Sequence, residues 1–256
     1  MLLMLAKTKL TLLHPHPALL LEDCSRSYLV IADLHIGFEE KFKAQGVKLR
    51  TSTQSMVSEL SEICSKHKVD EIIILGDVKF TAGRASALER REIPLFLEEI
   101  SRLGKTTIIS GNHDGALLTL LPRGVTLHPE SHMVVKDLCL LHGHTLLPDL
   151  STDVEKILIG HIHPTYLKEG SVMAGKHVWL LLKVRREALI DGQNGLAEIY
   201  VMPPFNRELS FTGFSGRSGK IISPIIRRSV KGICDALILS LEGEIIGSTE
   251  SLQYVI

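Results

Sequence analysis

The sequence Thr107-Ile108-Ile109-Ser110-Gly111-Asn112-His113-Asp114 joins a β-branched apolar run to a turn made of a glycine, an amide, an imidazole and a carboxylate. The apolar run is typical of a buried strand. Three polar side chains at its end need partners, because buried polar groups without hydrogen bonds or charge compensation are costly. The segment therefore predicts a strand that delivers polar groups to a site built with other parts of the chain.

Two earlier segments repeat this arrangement of an apolar run followed by polar residues. Residues 28–32 precede Asp33-Leu34-His35, and residues 71–75 precede Gly76-Asp77. Each run predicts a strand that is covered on both faces. The carboxylates and the histidine are thereby placed at the ends of strands.

Helical patterns lie between these predicted strands. Apolar residues recur at helical spacing over residues 56–63, with Ser52 or Thr53 as the cap, and a further helix is predicted over residues 94–103. Alternating strands and helices predict a parallel sheet whose ligand site lies outside the C-terminal ends of its strands. Beyond Pro122 short β-like runs predominate, which indicates a second sheet that is mixed or antiparallel.

Histidines are concentrated in or beside these polar blocks. Six of the twelve are His35, His113, His142, His144, His161 and His163. Such crowding beside Asp33 and Asp77 is costly unless a pair of divalent cations compensates it, with the histidines as neutral ligands. Two cations need a carboxylate that bridges them, and Asp77, alone at the middle strand end, is the predicted bridge. The mixed Asp, Asn and His donors suit Mn²⁺, our first choice, as well as Fe or Zn²⁺.

The order of the polar blocks resembles that of the calcineurin-like metallophosphoesterase superfamily. The blocks are Asp33-Leu34-His35, Gly76-Asp77, Gly111-Asn112-His113-Asp114, His142 and Gly160-His161-Ile162-His163. Taken singly, each block is more typical of a hydrogen-bonded turn, but five in one order are specific. The resemblance implies an α/β (α+β) fold, a four-layer αββα sandwich with two mixed sheets, and a metal site at the C-terminal ends of the strands.

The resemblance also implies a role for each residue of the blocks. The first metal would be held by Asp33, His35 and His163, the second by Asn112, His142 and His161, with Asp77 between them. His113 would face the substrate, where it stabilises charge on the phosphoryl group or protonates the leaving oxygen, and Asp114 would orient the His113 ring. His144 would support the site or contact the substrate.

Segments outside the metal blocks resemble the branch that contains the phosphoesterases associated with DNA ligase and their archaeal relatives. These segments are Leu13-His14-Pro15, residues 28–37, residues 75–79 and residues 202–206. The branch implies a phosphodiester substrate such as DNA, RNA or a cyclic nucleotide, and DNA repair partners. Phe80 stands where many superfamily members have Asp or Asn. Because that position is not a ligand, the departure concerns substrate handling rather than metal binding.

The C-terminal part of the chain differs in composition. We expect residues 1–205 to form the metallophosphoesterase domain, and residues 206–256 to form a basic, glycine-rich loop and a hairpin packed on the same domain. Residues 213–232 contain several basic residues and no acidic one, which is typical of a solvated loop or of a surface that contacts a phosphate backbone. The basic residues predicted to contact substrate are Arg217, Lys220, Arg227 and Arg228.

The overall composition limits the function classes. Lys plus Arg and Asp plus Glu are both 29, so no net charge attracts the chain to nucleic acid or to an anionic membrane. The cysteines Cys24, Cys64, Cys139 and Cys234 form no C-x-x-C pair and suit buried thiols in a reducing cytosol. The apolar residues 1–6 are too few to span a membrane and lack the features of a signal peptide, so we predict a cytoplasmic protein.

The predicted activity is hydrolysis of a phosphodiester by in-line attack of a deprotonated water that bridges the two metals. Two rival functions stay open at this point. One is a phosphomonoesterase, and the other is a non-catalytic nucleic-acid-binding or assembly subunit with the same fold. All seven ligand positions carry residues that can bind a metal, which argues against the second rival.

Overall fold

The predicted parallel strands form the centre of the first sheet in a computed structural model of the chain. The structure describes residues 7–43, 46–47, 49–212 and 223–255. The parallel strands are β3 (Ser27–Ile31), β4 (Glu71–Leu75), β5 (Lys105–Ile109) and β6 (Val125–Leu127). A hairpin of β1 (Lys9–Leu12) and β2 (Leu19–Glu22) adds to β3 in antiparallel fashion, which makes the sheet mixed, in the order β1-β2-β3-β4-β5-β6.

The second sheet is also mixed, as predicted, and has the order β13-β12-β10-β11-β9-β8-β7. Its strands are β7 (His132–Val135), β8 (Leu138–Leu141), β9 (Lys156–Ile159), β10 (Trp179–Arg185), β11 (Leu196–Val201), β12 (Ile233–Leu239) and β13 (Ile245–Ser248). Strands β8, β9 and β11 are parallel, and the other pairs are antiparallel. The C-terminal ends of β8 and β9 therefore lie at one edge of this sheet.

The α-helices are α1 (Glu40–Lys43), α2 (Thr53–Lys66), α3 (Ala87–Ser101) and α4 (Pro224–Ser229). Short 3-10 helices cover Leu117–Leu120, Arg186–Ala188, Arg207–Thr212, Val230–Gly232 and Thr249–Tyr254. Helix α2 begins at the predicted cap, but α3 begins earlier than predicted. Its start is set by a capping box in which Ser86 and Glu89 exchange hydrogen bonds, and Pro94 lies inside the helix, where it removes one backbone hydrogen bond without ending the helix.

Three apolar layers hold the sheets and helices together. Helices α2 and α3 cover the outer face of the first sheet through residues such as Leu60 and Phe96. The inner faces of the two sheets pack on each other around Trp179. The outer face of the second sheet is covered by α4 and short turns, with Ile225 and Ile226 in its core. The predicted sandwich of two mixed sheets is thus confirmed, with a thin helical layer on the second sheet.

The last two strands extend the second sheet. Strands β12 and β13 form a hairpin that continues the second sheet beyond β10. No helix within the described part of the chain is long and apolar enough to cross a membrane.

Candidate metal centre

Loops that follow five strands meet at one edge of the sandwich. Two contacts join the loops of the two sheets: the His161 amide donates to Asp33 Oδ2 at 2.9 Å, and His142 Nδ1 lies 2.7 Å from the Leu75 carbonyl. Asp33 and His142 are almost fully buried. The structure therefore brings the polar blocks of both sheets together, as the sequence predicts.

The first group of donors consists of Asp33, His35 and His163. His163 Nε2 lies 3.3 Å from Asp33 Oδ1, and His35 Nε2 lies 3.2 Å from His163 Nε2. Two neutral imidazole nitrogens that face each other across this distance need a shared proton or a cation between them. The buried His35 Nδ1 has no hydrogen-bond partner among the described residues. These observations fit a divalent cation held by this group.

The second group consists of Asp77, His142 and His161. Asn112, exposed on the open side, places its Oδ1 at 3.2 Å from His142 Nε2. Asp77 Oδ2 lies 3.4 Å from His142 Nε2 and 3.5 Å from His35 Nε2. One carboxylate oxygen therefore stands between a histidine of each group, which fits a pair of cations that share Asp77.

Burial and mutual contact shift the pKa values of these donors. Burial, followed by the charge of His163, lowers the pKa of His35 to about 3. Burial, followed by the charge of His142, lowers the pKa of His161 to about 4. Burial by itself would raise the pKa of Asp77, but the hydrogen bond and charge of His142 and the charge of His35 hold it well below its usual range. Neutral imidazoles and ionised carboxylates are the states in which these residues bind cations.

His142 differs from the other histidines. Burial lowers its pKa, but the hydrogen bond to Asp77 and the charge of Asp33 outweigh burial and raise the pKa to about 9. A proton is thus favoured on a ring that lies between two carboxylates. A cation bound at the same position would displace that proton, since a ligand imidazole must be neutral.

The backbone at these residues adopts a conformation that L-residues rarely occupy. Five of the seven described non-glycine residues with a positive φ are candidate ligands, namely Asp33, His35, Asp77, His161 and His163. Each such residue costs of the order of 1–2 kcal/mol, and clusters of strained residues are typical of functional sites. The strain indicates that the loops are shaped for the site rather than for their own stability.

Two glycines allow the loops to approach each other closely. A Cβ built on Gly111 would lie 2.2 Å from Asp77 Oδ1 and 2.4 Å from the Asp77 nitrogen. A Cβ built on Gly160 would lie 2.6 Å from Asp33 Oδ2. The glycines of these two motifs are therefore required by contact with the two aspartates.

His113 lies at the mouth of the site, with a quarter of its side chain exposed and Nε2 4.0 Å from Asp77 Oδ2. Its Nδ1 contacts the Phe80 carbonyl oxygen. The prediction that Asp114 orients this ring is wrong. Asp114 instead accepts hydrogen bonds from the amides of Val78, at 2.9 Å, and Gly111, at 2.8 Å. Because these amides belong to the loops after β4 and β5, the Asp114 carboxylate links the two loops.

His144 lies beside the second group, with ring centroids 5.3 Å from His142 and 6.1 Å from His161. Its buried Nδ1 has no hydrogen-bond partner among the described residues. Burial, followed by the charge of His142, lowers the pKa of His144. The structure thus places His144 next to the predicted ligands His142 and His161.

Of the four basic residues predicted to contact substrate, the structure describes two. Arg217 and Lys220 lie outside the described residues. Arg227 and Arg228 are exposed on α4. Arg228 pairs at 2.9 Å with Asp191, in the loop between β10 and β11, at the sheet edge opposite the metal donors. Arg228 thus lies away from the metal donors, and its contact with substrate stays a prediction.

Two buried residues next to the site, His177 and Glu89, are not predicted from the sequence. His177 lies beside His163, with ring centroids 6.4 Å apart, and its Nδ1 is 3.0 Å from Thr165 Oγ1. It belongs to no motif, so the sequence carries no signal for it. Glu89, fully buried on α3, accepts hydrogen bonds from the loop that contains Phe80. The S-x-x-E pattern that ends at Glu89 was the available signal.

Comparisons with known proteins add the following. The family model described as calcineurin-like phosphoesterase matches residues 27–187, more than half of the chain. The nuclease MPE of Pseudomonas putida is 17% identical, with a TM-score of 0.47, over 85% of this chain and 92% of that one. The phosphoesterase Yfce of E. coli is 16% identical, with a TM-score of 0.39, over 88% of this chain and 98% of that one. No curated protein sequence gives a significant match. The family match covers every candidate metal donor, from Asp33 to His163.

Proposed function

The chain belongs to the calcineurin-like phosphoesterase family, whose members are metal-dependent hydrolases of phosphoester bonds, and we propose that it is a dinuclear phosphodiesterase acting on nucleic acid or nucleotides. The observation that carries this proposal is the position of Asp77 Oδ2, 3.4 Å from His142 Nε2 and 3.5 Å from His35 Nε2. A single carboxylate oxygen that faces both histidine groups is the arrangement that two cations about 3.5–4 Å apart require.

We assign the donors as follows. The first cation is held by Asp33, His35 and His163, the second by Asn112, His142 and His161, and Asp77 is shared. We propose Mn²⁺ as the working metal, with Fe or Zn²⁺ also compatible with these nitrogen and oxygen donors. When bound, the cations supply Lewis acidity to the phosphoryl oxygens and acidify water at the site.

The remaining chemistry belongs to side chains of the protein. His113 presents Nε2 to the open side of the site, while Nδ1 is engaged by the Phe80 carbonyl. A carbonyl oxygen only accepts, so Nδ1 carries hydrogen, and we propose that Nε2 is the atom that delivers a proton to the leaving oxygen of the ester. His144 lies on the other side of the donors and is proposed to contact the substrate.

The preference for a diester is supported by segments that flank the site. Asn206 Nδ2 donates at 2.8 Å to the Leu34 carbonyl, between two first-group donors. Ser223 Oγ donates at 2.7 Å to the Gly143 carbonyl, between His142 and His144. Asn206 and Ser223, which precede and follow residues 213–222 in the chain, therefore contact loops that carry the donors. Arg217 and Lys220 belong to that stretch, and we propose that they contact a phosphate backbone, as basic residues in nucleic-acid-binding proteins do.

The test compares bis-p-nitrophenyl phosphate with p-nitrophenyl phosphate, using metal-free protein reconstituted with Mn²⁺. We expect kcat/KM for the diester to exceed that for the monoester by at least about tenfold, a difference of about 1.4 kcal/mol in transition-state binding. Replacement of His67, at the end of α2, by Ala is the matched control, because it removes an imidazole far from the donors. A preference for the monoester would assign a phosphomonoesterase. Metal-replete protein that is inert on both esters and on DNA and RNA would assign a non-catalytic subunit.

A further inference from the structure

Glu89, on α3, is hydrogen-bonded to the loop after β4, and the Phe80 carbonyl of that loop contacts His113. We propose that Glu89 is a positioning residue: its carboxylate fixes the peptide of Phe80 and Thr81, and the Phe80 carbonyl fixes the ring of His113. This inference rests on the proposed function, in which His113 acts on the substrate.

His113 Nδ1 contacts the carbonyl oxygen of Phe80. Because the carbonyl oxygen is only an acceptor, it selects the tautomer of His113 that carries hydrogen on Nδ1. Nε2 is then directed to the metal donors, 4.0 Å from Asp77 Oδ2. The Asp114 carboxylate instead accepts hydrogen bonds from the amides of Gly111 and Val78. The backbone of residue 80 is thus the described partner of Nδ1.

Glu89 in turn is hydrogen-bonded to this backbone. Glu89 Oε1 accepts hydrogen bonds from the amides of Phe80, at 3.0 Å, and Thr81, at 2.7 Å. Glu89 Oε2 accepts from Thr81 Oγ1, at 2.7 Å, and from the Ser86 amide, at 2.6 Å. The residue is fully buried. Hydrogen bonds to a buried carboxylate are short and strong, so they define the position of the loop.

These bonds exceed what capping of α3 requires. A capping box uses the bond from the Ser86 amide to Glu89 and the return bond from the Glu89 amide to Ser86 Oγ. The other three bonds go to Phe80 and Thr81, outside the helix. The loop after β3 is also shaped around this side chain, since a Cβ on Gly37 would lie 2.7 Å from Glu89 Cγ. Glu89 therefore connects helix α3 to the loop after β4, whose Phe80 carbonyl contacts His113, and to the loop after β3, which carries Asp33 and His35.

Lys79 provides a second hold on the same loop. Its fully buried Nζ donates to the Thr81 carbonyl and, at 2.9 Å, to the Gly83 carbonyl. The amide sides of residues 80 and 81 are thus bound by Glu89, and carbonyls further along the loop are bound by Lys79. The Phe80 amide also donates to the Ile36 carbonyl, at 3.2 Å, so removal of Glu89 should loosen the peptide between Phe80 and Thr81 at its Thr81 amide without releasing the whole loop.

The experiment uses Glu89→Ala, with Ser86→Ala as the matched control. Ser86→Ala removes the side-chain cap of α3 but leaves the bonds from Glu89 to Phe80 and Thr81. We expect Glu89→Ala to lower kcat for bis-p-nitrophenyl phosphate about 10–100-fold, the usual effect of losing a residue that orients a functional group, with little change in KM or metal content. Ser86→Ala should retain the parental kcat.

Two readouts separate positioning from a general structural effect. In the His113→Ala background, Glu89→Ala should cause no further loss of kcat, because both changes remove the same contribution. In nitrogen-15 spectra of Zn²⁺-loaded protein, the His113 ring should show one tautomer, with hydrogen on Nδ1, in the parent and in Ser86→Ala, and a mixture of tautomers in Glu89→Ala.

The results that would overturn the positioning role of Glu89 differ from those that would overturn the proposed function. A protein inert on every ester, but with the expected change of tautomer, would overturn the function and leave the positioning role of Glu89 in place. An unchanged tautomer in Glu89→Ala, or an equal loss of kcat with and without His113, would overturn the positioning role. If Glu89→Ala does not fold, Glu89→Asp, which withdraws the carboxylate by one methylene, carries the same expectations.

Discussion

Replacement of Gly111 by Ala should disable the metal centre without disturbing the sheet that supports it. The added Cβ would lie 2.2 Å from Asp77 Oδ1 and 2.4 Å from the Asp77 nitrogen, whereas real Cβ contacts are essentially never shorter than 3.0 Å. One of the contacted atoms is backbone and cannot rotate away. The proposed bridging carboxylate must therefore move, and its hydrogen bond from the His113 amide, 2.9 Å long, must change with it.

The size of the effect follows from the size of the displacement. Oδ1 has to shift by about 0.8 Å, the difference between 2.2 Å and 3.0 Å. A displacement of about 1 Å in a group that positions reactants costs about 10²-fold in rate. Because Asp77 faces a histidine of each donor group, the same shift should weaken binding of both cations. We expect Gly111→Ala to lose metal during gel filtration and to hydrolyse bis-p-nitrophenyl phosphate at least about 10²-fold more slowly than the parent.

Gly104→Ala is the matched control, since Gly104 lies just before β5 and Gly111 just after it. A Cβ at Gly104 would meet its nearest atoms, the carbonyl oxygens of Val69 and Asp70, at an ordinary 3.8 Å. Both variants are compared by thermal unfolding, by metal content and by diester hydrolysis at saturating Mn²⁺. If Gly111→Ala retained the metal content and the turnover of Gly104→Ala, the reasoning from contact with Asp77 would be refuted.

Three further predictions address single side chains. His113→Ala should lower kcat by about 10²–10⁴-fold, the usual range for loss of a general acid, with metal content unchanged, and full turnover at full metal occupancy would exclude this role. Burial, followed by His163, lowers the pKa of His177 to about 4, whereas the unfolded chain binds this proton near pH 6.5, so the folded state loses stability as pH falls from about 6.5 to about 4. After metal has been removed with a chelator, the urea midpoint of His177→Gln should fall less steeply between about pH 6.5 and about pH 4 than that of the parent. Equal slopes would contradict the lowered pKa of His177. Burial raises the pKa of the Cys139 thiol to about 12, so mass spectrometry should detect its alkylation only after unfolding, while exposed Cys24 reacts in the folded protein; equal labelling of the two would count against it.

Much of the fold was predictable because its strands are buried on both faces. Such strands appear in the sequence as uninterrupted apolar runs, as in β4, and the polar residues after them mark the ends that face the site. The start of α3 was missed because the prediction relied on Pro94, whereas the Ser86 and Glu89 capping box begins the helix at Ala87. Proline in a helix costs one hydrogen bond, and packing of the apolar face of α3 compensates for it.

The candidate site was predictable only in its side-chain donors. The partner of His113 Nδ1 is a backbone carbonyl, and every residue has one, so the sequence cannot show which is used. For the same reason Asp114 was assigned to the ring, although backbone amides satisfy it. His177 is defined by its burial next to His163, which only the folded chain creates.

Metal titration shows whether Asp77 is shared by two cations that are both needed for diester hydrolysis. Metal-free protein is titrated with Mn²⁺ while metal content and hydrolysis of bis-p-nitrophenyl phosphate are followed together. We expect the parent to gain activity with the second equivalent of Mn²⁺, and Asp77→Asn to retain at most one equivalent of Mn²⁺ and no turnover. Two bound equivalents in Asp77→Asn, with turnover like that of the parent, would contradict the sharing of Asp77.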